Sequence, residues 1–220
     1  MYRSKSCALF LLTLFTLAVM ITPAYSTTIT TYSDSASWLA ATTGDQLDNF
    51  EGMGSPGAFT VTGAILQNGV EFLGLSGQTG IADTTIASYY NFGTGFAGFV
   101  TNLQNPINIQ ITIPTPVTAF SINLFTNPAA ATYTVTTLST PFTVPTFAAP
   151  TPAFFGVTSD TAFSSVDLQV PSGTTYAFFD NFQFGTAQVQ SPVPEAGTFL
   201  MIGTGLMGLA IFRRKAHRSR

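Results

Sequence analysis

Of the 220 residues seven are basic and ten acidic, and all seven basic ones sit at the two ends: Arg3 and Lys5 in front, Arg213, Arg214, Lys215, Arg218 and Arg220 behind. Between Ser26 and Pro194 there is neither Lys nor Arg, while nine acids fall there: Asp34, Asp45, Asp48, Glu51, Glu71, Asp83, Asp160, Asp167 and Asp180. Such a polyanionic body repels phosphate, which excludes DNA and RNA as partners, and the single cysteine, Cys7, excludes an intramolecular disulfide.

Residues 1–26 have the three parts of a secretory signal peptide. Arg3 and Lys5 lead, an apolar stretch runs from Ala8 to Ile21, and the small residues Ala24 and Ser26 mark a cleavage site after Ser26. Without its targeting ends the chain keeps about 165 residues, enough for one domain with a buried core.

The body, residues 27–186, opens with a short polar-apolar strand from Thr27 to Ser33. Asp34 then caps a brief helix through Ser37 to Ala41, stopped by Gly44. Short β-runs follow: Phe59 to Thr62, Val70 to Leu73, Ile107 to Ile113, Val117 to Phe125, Thr132 to Thr136, Val166 to Val170 and Tyr176 to Phe184. Their alternation turns one apolar face inward and a Thr, Asn or Gln face outward. Prolines at 114, 116, 141, 145, 150 and 152 are expected between these runs or at their ends. The stretch from Thr140 to Phe155 reads as either a Pro-rich edge strand or a long loop. Many short strands predict an all-β sandwich or barrel.

A linker, residues 187–196, leads to the uncharged run Gly197 to Phe212, and the basic tail 213–220 follows at once. At ~1.5 Å per residue the run covers about 24 Å, slightly less than a ~30 Å hydrocarbon core, so it spans a membrane with help from its flanks. Arg213, Arg214 and Lys215 fix the topology by staying cytoplasmic, which leaves the body outside. Gly203, Gly205 and Gly208 spell a nucleotide-binding G-x-G-x-x-G, but no strand precedes them. Glycines easing helix packing in lipid is the better reading.

Immediately before that run stands Val193-Pro194-Glu195-Ala196. A Pro-Glu-Pro-like motif, a short apolar helix with glycines and a terminal Arg cluster resemble the PEP-CTERM sorting signal, also catalogued as an ice-binding protein C-terminal domain. Pro194 and Glu195 match the motif, and Ala196 replaces its second proline. The resemblance implies a membrane-embedded exosortase that cleaves at the motif, and a connection with extracellular polysaccharide. It also implies a Gram-negative-type bacterium and a protein exported through the inner membrane, anchored there by its C-terminal helix, then sorted to the surface or beyond. In the body, Trp38 to Gly44, Leu47 to Glu51, Pro116 to Phe120 and Phe179 to Gly185 resemble the jelly-roll ectodomains that commonly precede this signal. That implies a jelly-roll-like β-sandwich with one short N-terminal helix, similar in architecture to carbohydrate-binding modules.

The body offers little chemistry. It has no Cys, Lys, Arg or His, because His217 lies in the tail, so Ser-His-Asp and Cys-His triads, histidine zinc sites and Schiff bases are all excluded from it. A carboxylate pair remains, as a glycosidase needs. Calcium is the one cofactor the acids suggest: adjacent first and last strands bring Asp48 or Glu51 near Asp180, whereas in the plainer reading these residues end strands and satisfy turns. Trp38, Tyr89, Tyr90, Phe154 and Phe155 are the aromatics considered for stacking on sugar, most aromatics being core. The reading is a non-catalytic surface or matrix protein associated with exopolysaccharide. A calcium-assisted carbohydrate-binding module is the alternative, and a carboxylate-dependent glycosidase stands third. N-terminal sequencing of the secreted protein is expected to begin at Thr27; a start at Met1 on membrane-bound protein contradicts the signal peptide.

Overall fold

The computed structural model describes residues 27–75, 79–86, 98–102, 106–147, 150–170 and 176–188. The signal segment, Val193 to Ala196, the apolar run 197–212 and Arg213 to Lys215 lie outside the described residues, as do Tyr89 and Tyr90. Among the described residues no helix is long and apolar enough to cross a membrane.

In chain order the elements are β1 (Ile29–Tyr32), α1 (Ser35–Ala40), β2 (Thr42–Asp48), β3 (Phe59–Thr62), β4 (Ala64–Gln67), β5 (Val70–Gly74) and β6 (Thr79–Ala82). Then come β7 (Phe99–Asn102), β8 (Ile107–Asn127), β9 (Thr132–Thr137), β10 (Thr140–Pro145), β11 (Ala153–Val170) and β12 (Tyr176–Ala187). Asp34 caps α1 as expected, its carboxylate accepting the Ser37 N–H at 2.8 Å.

Two long strands, β8 and β11, pair antiparallel along most of their lengths. The first half of β8 also pairs with β5, and the matching half of β11 with β9, which carries β10 at the edge. The second half of β8 pairs with β12, and the matching half of β11 with β1. Beyond β12 lie β2 at one end and β7, β6 and β3 at the other. Each long strand therefore belongs to two sheets and bends between them, a known way to turn a sandwich corner.

The two sheets close over one core. Phe72 of β5 meets Phe179 and Phe182 of β12 at 5.7 and 5.6 Å between ring centres. Phe120 of β8 meets Phe163 and Phe182 at 5.7 and 6.1 Å. From β9, the buried Tyr133 donates its hydroxyl to the Phe178 carbonyl at 3.0 Å, stitching one sheet to the other through a backbone acceptor. The Phe72 and Tyr133 contacts join β12 to strands with which it does not pair, so the architecture is a β-sandwich, as expected.

Three local expectations are corrected. Pro114 and Pro116 do not separate two strands but lie inside β8. They are tolerated because the ladder with β11 is interrupted between Thr112 and Val117, opposite the register shifts at Phe163, so no pairing N–H is lost. Gly44 does not stop the helix. Ala41 closes it by donating its N–H to the Trp38 carbonyl, and Gly44 sits in β2 with φ +68° where the register against β12 skips. The undecided stretch from Thr140 divides: Thr140–Pro145 is an edge strand, and Ala153 already begins β11.

On the outer face of β11 the only tryptophan is fully buried, its indole N–H donating to the Val157 carbonyl at 3.2 Å. The ring lies directly on Gly156, where a Cβ would stand 2.6 Å from Trp38 Cδ1. Gly156→Ala must push a pinned indole off the sheet, and overpacking of this kind costs about 1–3 kcal/mol. Thermal unfolding is expected to show a fall on the order of 5 °C; an unchanged midpoint contradicts the rigid seat of Trp38.

Candidate functional site

Two regions gather the chemistry that the body has. The first is the carboxylate neighbourhood of β2 and β12. These strands pair, whereas the first strand, β1, pairs with β11, so the expected adjacency of first and last strands is replaced by one of β2 with β12. Phe182 stands opposite Asp48 and belongs to the core, whereas Asp180 stands opposite Asn123 of β8. Residues directly opposite in a ladder share a face, so Asp48 shares the face of Phe182 and Asp180 lies on the other face of β12. Glu51, past the end of β2, is the acid that reaches Asp180 electrostatically. Asp48 and Asp180 thus lie on different faces, and of the suggested ligands only Glu51 adds its charge to the environment of Asp180. Among the described residues no group of three His, Cys, Asp or Glu side chains could hold a metal ion.

Both aspartates are shaped by burial. Asp48 is buried, takes the Asn68 amide N–H at 2.6 Å on one oxygen, and has no partner for the other. Desolvation pushes its carboxyl up to about 6, held back by the Asn68 hydrogen bond. Asp180 sits at a bulge where Asn181 adopts φ +50° and donates its backbone N–H at 2.6 Å and its side-chain N–H at 3.2 Å. Desolvation dominates here too and, with the like charge of Glu51 adding to it, pushes Asp180 up to about 7 against the Asn181 hydrogen bond. Both oxygens of Asp180 are engaged by its own neighbour, which is the behaviour of a turn-building carboxylate.

The second region is a groove of about 670 Å³ on the open side of the sandwich, between the edge strands β1 and β10 and the start of β11. That size lies within the range of small-molecule sites. Its aromatic residues are Tyr32, Phe147, Phe154 and Phe155, and Asp34 stands on its wall. Of the aromatics weighed for sugar stacking, Phe154 and Phe155 line it, while Trp38 is spent in packing. Tyr32 and Phe147 were not singled out from the sequence. The groove joins segments more than a hundred residues apart, and no local pattern marks it.

Comparison with known proteins adds one specific result. Residues 192–215 match the PEP-CTERM protein-sorting motif, which bears out the resemblance and indicates export with a C-terminal sorting signal handled by exosortase. No curated protein matches the chain. Among solved structures, two mutants of a family 29 carbohydrate binding module align at 10 and 11% identity and TM-scores of 0.33 and 0.34, over 68 and 67% of this chain and 99 and 98% of theirs. A chain from work on glycan recognition in the Ruminococcus flavefaciens cellulosome aligns at 12% identity and TM-score 0.27, over 68% of this chain and 99% of its own. Likenesses at this level carry no argument about a ligand.

The raised carboxyls set a pH dependence. The folded protein binds these two protons more tightly than the unfolded chain does. The stability they contribute is complete below the ordinary aspartate value of 3.8 and is lost as pH rises through about 6 and 7. Asp34 and Asp160, held low by backbone N–H groups of Ser37 and Thr28, act in the opposite direction only at lower pH. The melting temperature is expected to be higher at pH 5 than at pH 8 by on the order of 5 °C, and Asp180→Asn to remove most of the difference. A rise toward pH 8 contradicts the assignment.

Proposed function

We propose that this chain is a non-catalytic surface or matrix protein, exported, tethered by its C-terminal segment and associated with exopolysaccharide. The observation that carries the reading is the sorting motif at 192–215. The chemistry of the body supports it: with no Lys, Arg, His or Cys between Thr27 and Glu195, carboxylates are the main groups left for acid–base work. The strongest candidate among these, Asp180, has both oxygens occupied by Asn181.

In this reading the signal peptide is removed after Ser26, following Ala24 and Tyr25. The apolar run 197–212 then halts in the membrane with Arg213, Arg214 and Lys215 on the cytoplasmic side, because moving those charges through lipid is costly. Val193, Pro194, Glu195 and Ala196 come to rest at the outer boundary, within reach of exosortase. Cleavage there frees an acidic body and leaves a basic stub. Calcium-assisted glycan binding is a second reading. It is favoured only by the influence of the Glu51 charge on Asp180, and Ca²⁺ needs several further oxygens.

Mass spectrometry of the protein released from the native host is expected to show loss of about 25 residues from the C-terminus, as cutting near Glu195 requires. Glu195→Ala, or removal of residues 213–220, is expected to hold the protein in the inner-membrane fraction. Released molecules that still end at Arg220 contradict the sorting mechanism.

A further inference from the structure

We propose that the groove between β1 and β10 is a binding site for a neutral polysaccharide chain, held by ring faces from Tyr32, Phe147 and Phe154 and by hydroxyl contacts along Thr31, Asp34 and Thr143. The inference rests on the reading of the protein as an exopolysaccharide-associated body and assigns the part of it that makes contact.

The groove pairs two kinds of surface. Phe147 is 59% exposed, and Phe154 and Tyr32 are half-buried, so apolar ring area faces solvent inside a concave site. Burying it is favourable only against another apolar face. Tyr32 is held in place, its hydroxyl sharing a hydrogen bond of 3.2 Å with Thr158 across the sheet. Thr31, Thr143 and Asp34 add polar groups to the lining. A sugar ring has this same division, C–H groups on its faces and hydroxyls around its rim.

Charge decides the class of sugar. Asp34 is ionised, since the Ser37 N–H that it accepts as helix cap holds its carboxyl below the usual range. The body has no Lys or Arg to balance it. Uronates, sulfated sugars and phosphorylated sugars would meet uncompensated repulsion, whereas neutral hydroxyls donate to a carboxylate. The edge strands suggest a different occupant, an added peptide strand, but β10 carries Pro141 and Pro145. Each removes a backbone donor, which blunts an edge against strand addition.

Affinity electrophoresis of the exported protein through gels containing hydroxyethylcellulose, galactomannan or alginate tests the proposal. At least one neutral polymer should retard the native protein and alginate should not. Phe147→Ala with Phe154→Ala should weaken the retardation at least tenfold. Leu66→Ala, an exposed residue of β4 away from the groove, should leave it unchanged. Unaltered circular dichroism is required of each variant, and because Phe147 is largely exposed the single Phe147→Ala protein supplies the result if the double variant is misfolded. Retardation that survives loss of the rings overturns the site, as does equal retardation by alginate or failure of every neutral polymer. If the ring variants instead change the sedimenting mass, the groove holds a second copy and the proposal is also overturned. A parallel gel with polysaccharide extracted from the host separates the two levels: retardation there that is indifferent to the ring variants defeats the groove alone, and none at all defeats the wider reading with it.

Discussion

The pairing of β8 with β11 is the contact on which both sheets depend. Every strand on one side of the sandwich is reached through the first half of β8 and the second half of β11. Those on the other side are reached through the remaining halves. The side chains record how one strand serves two sheets. In β8 the core residues are Ile107, Ile109, Ile111 and Ile113, then Phe120, Ile122 and Leu124, so the alternation slips by one across Pro114–Thr118. β11 does the same, from Phe155 and Val157 to Val166, Leu168 and Val170. Both slip at the corner, and both halves therefore keep their apolar residues on one core. At roughly 1.5–3 kcal/mol for each large side chain buried, set against the entropy of ordering the chain, separating the sheets is prohibitive.

The absence of cations in the body is a second constraint. The acids are satisfied by N–H and O–H groups, some from sequence neighbours and some from distant strands. Asp83 takes the Thr85 N–H and hydroxyl, Asp160 the Thr28 N–H, and Asp45 the Thr42 hydroxyl. At Asp48 and Asp180 desolvation outweighs the hydrogen bonds and pushes the carboxyls up to about 6 and 7. The same lack of cations shapes what the surface accepts. Long-range repulsion keeps acidic polymers and like bodies apart, whereas neutral hydroxyl-rich chains can approach closely.

Much of the fold was legible because period-two alternation is a local signal. The runs at Phe59, Val70, Thr132 and Tyr176 are strands close to where alternation puts them, and Asp34 caps its helix. The errors have physical causes. The phase slip and two prolines make β8 look like two strands, since pattern alone cannot distinguish a corner from a break. Gly44 reads as a helix stop, although the bulge of β2 is what requires its positive φ. Strands β6 and β7 were missed because Thr79 to Ala82 and Phe99 to Asn102 are short and barely alternate. Of the candidate sites, the carboxylate group was sought by supposing that the first and last strands pair, whereas β12 pairs with β2 and β1 with β11. The β1–β10 groove depends on the path of the whole sandwich, so its aromatics could not be told from core ones by sequence.

The molecule is thus organised as an address attached to a body. The C-terminal segment carries the sorting motif, and the body gathers most of its large buried aliphatic and aromatic side chains into one core. The most direct measurement is whole-cell immunolabelling of the native host with and without its polysaccharide synthesis. The account requires the protein to be outside the cell in both strains, held at the surface in the first and lost to the medium in the second. Equal surface labelling in both would contradict association with polysaccharide, and labelling only after permeabilisation would contradict export itself.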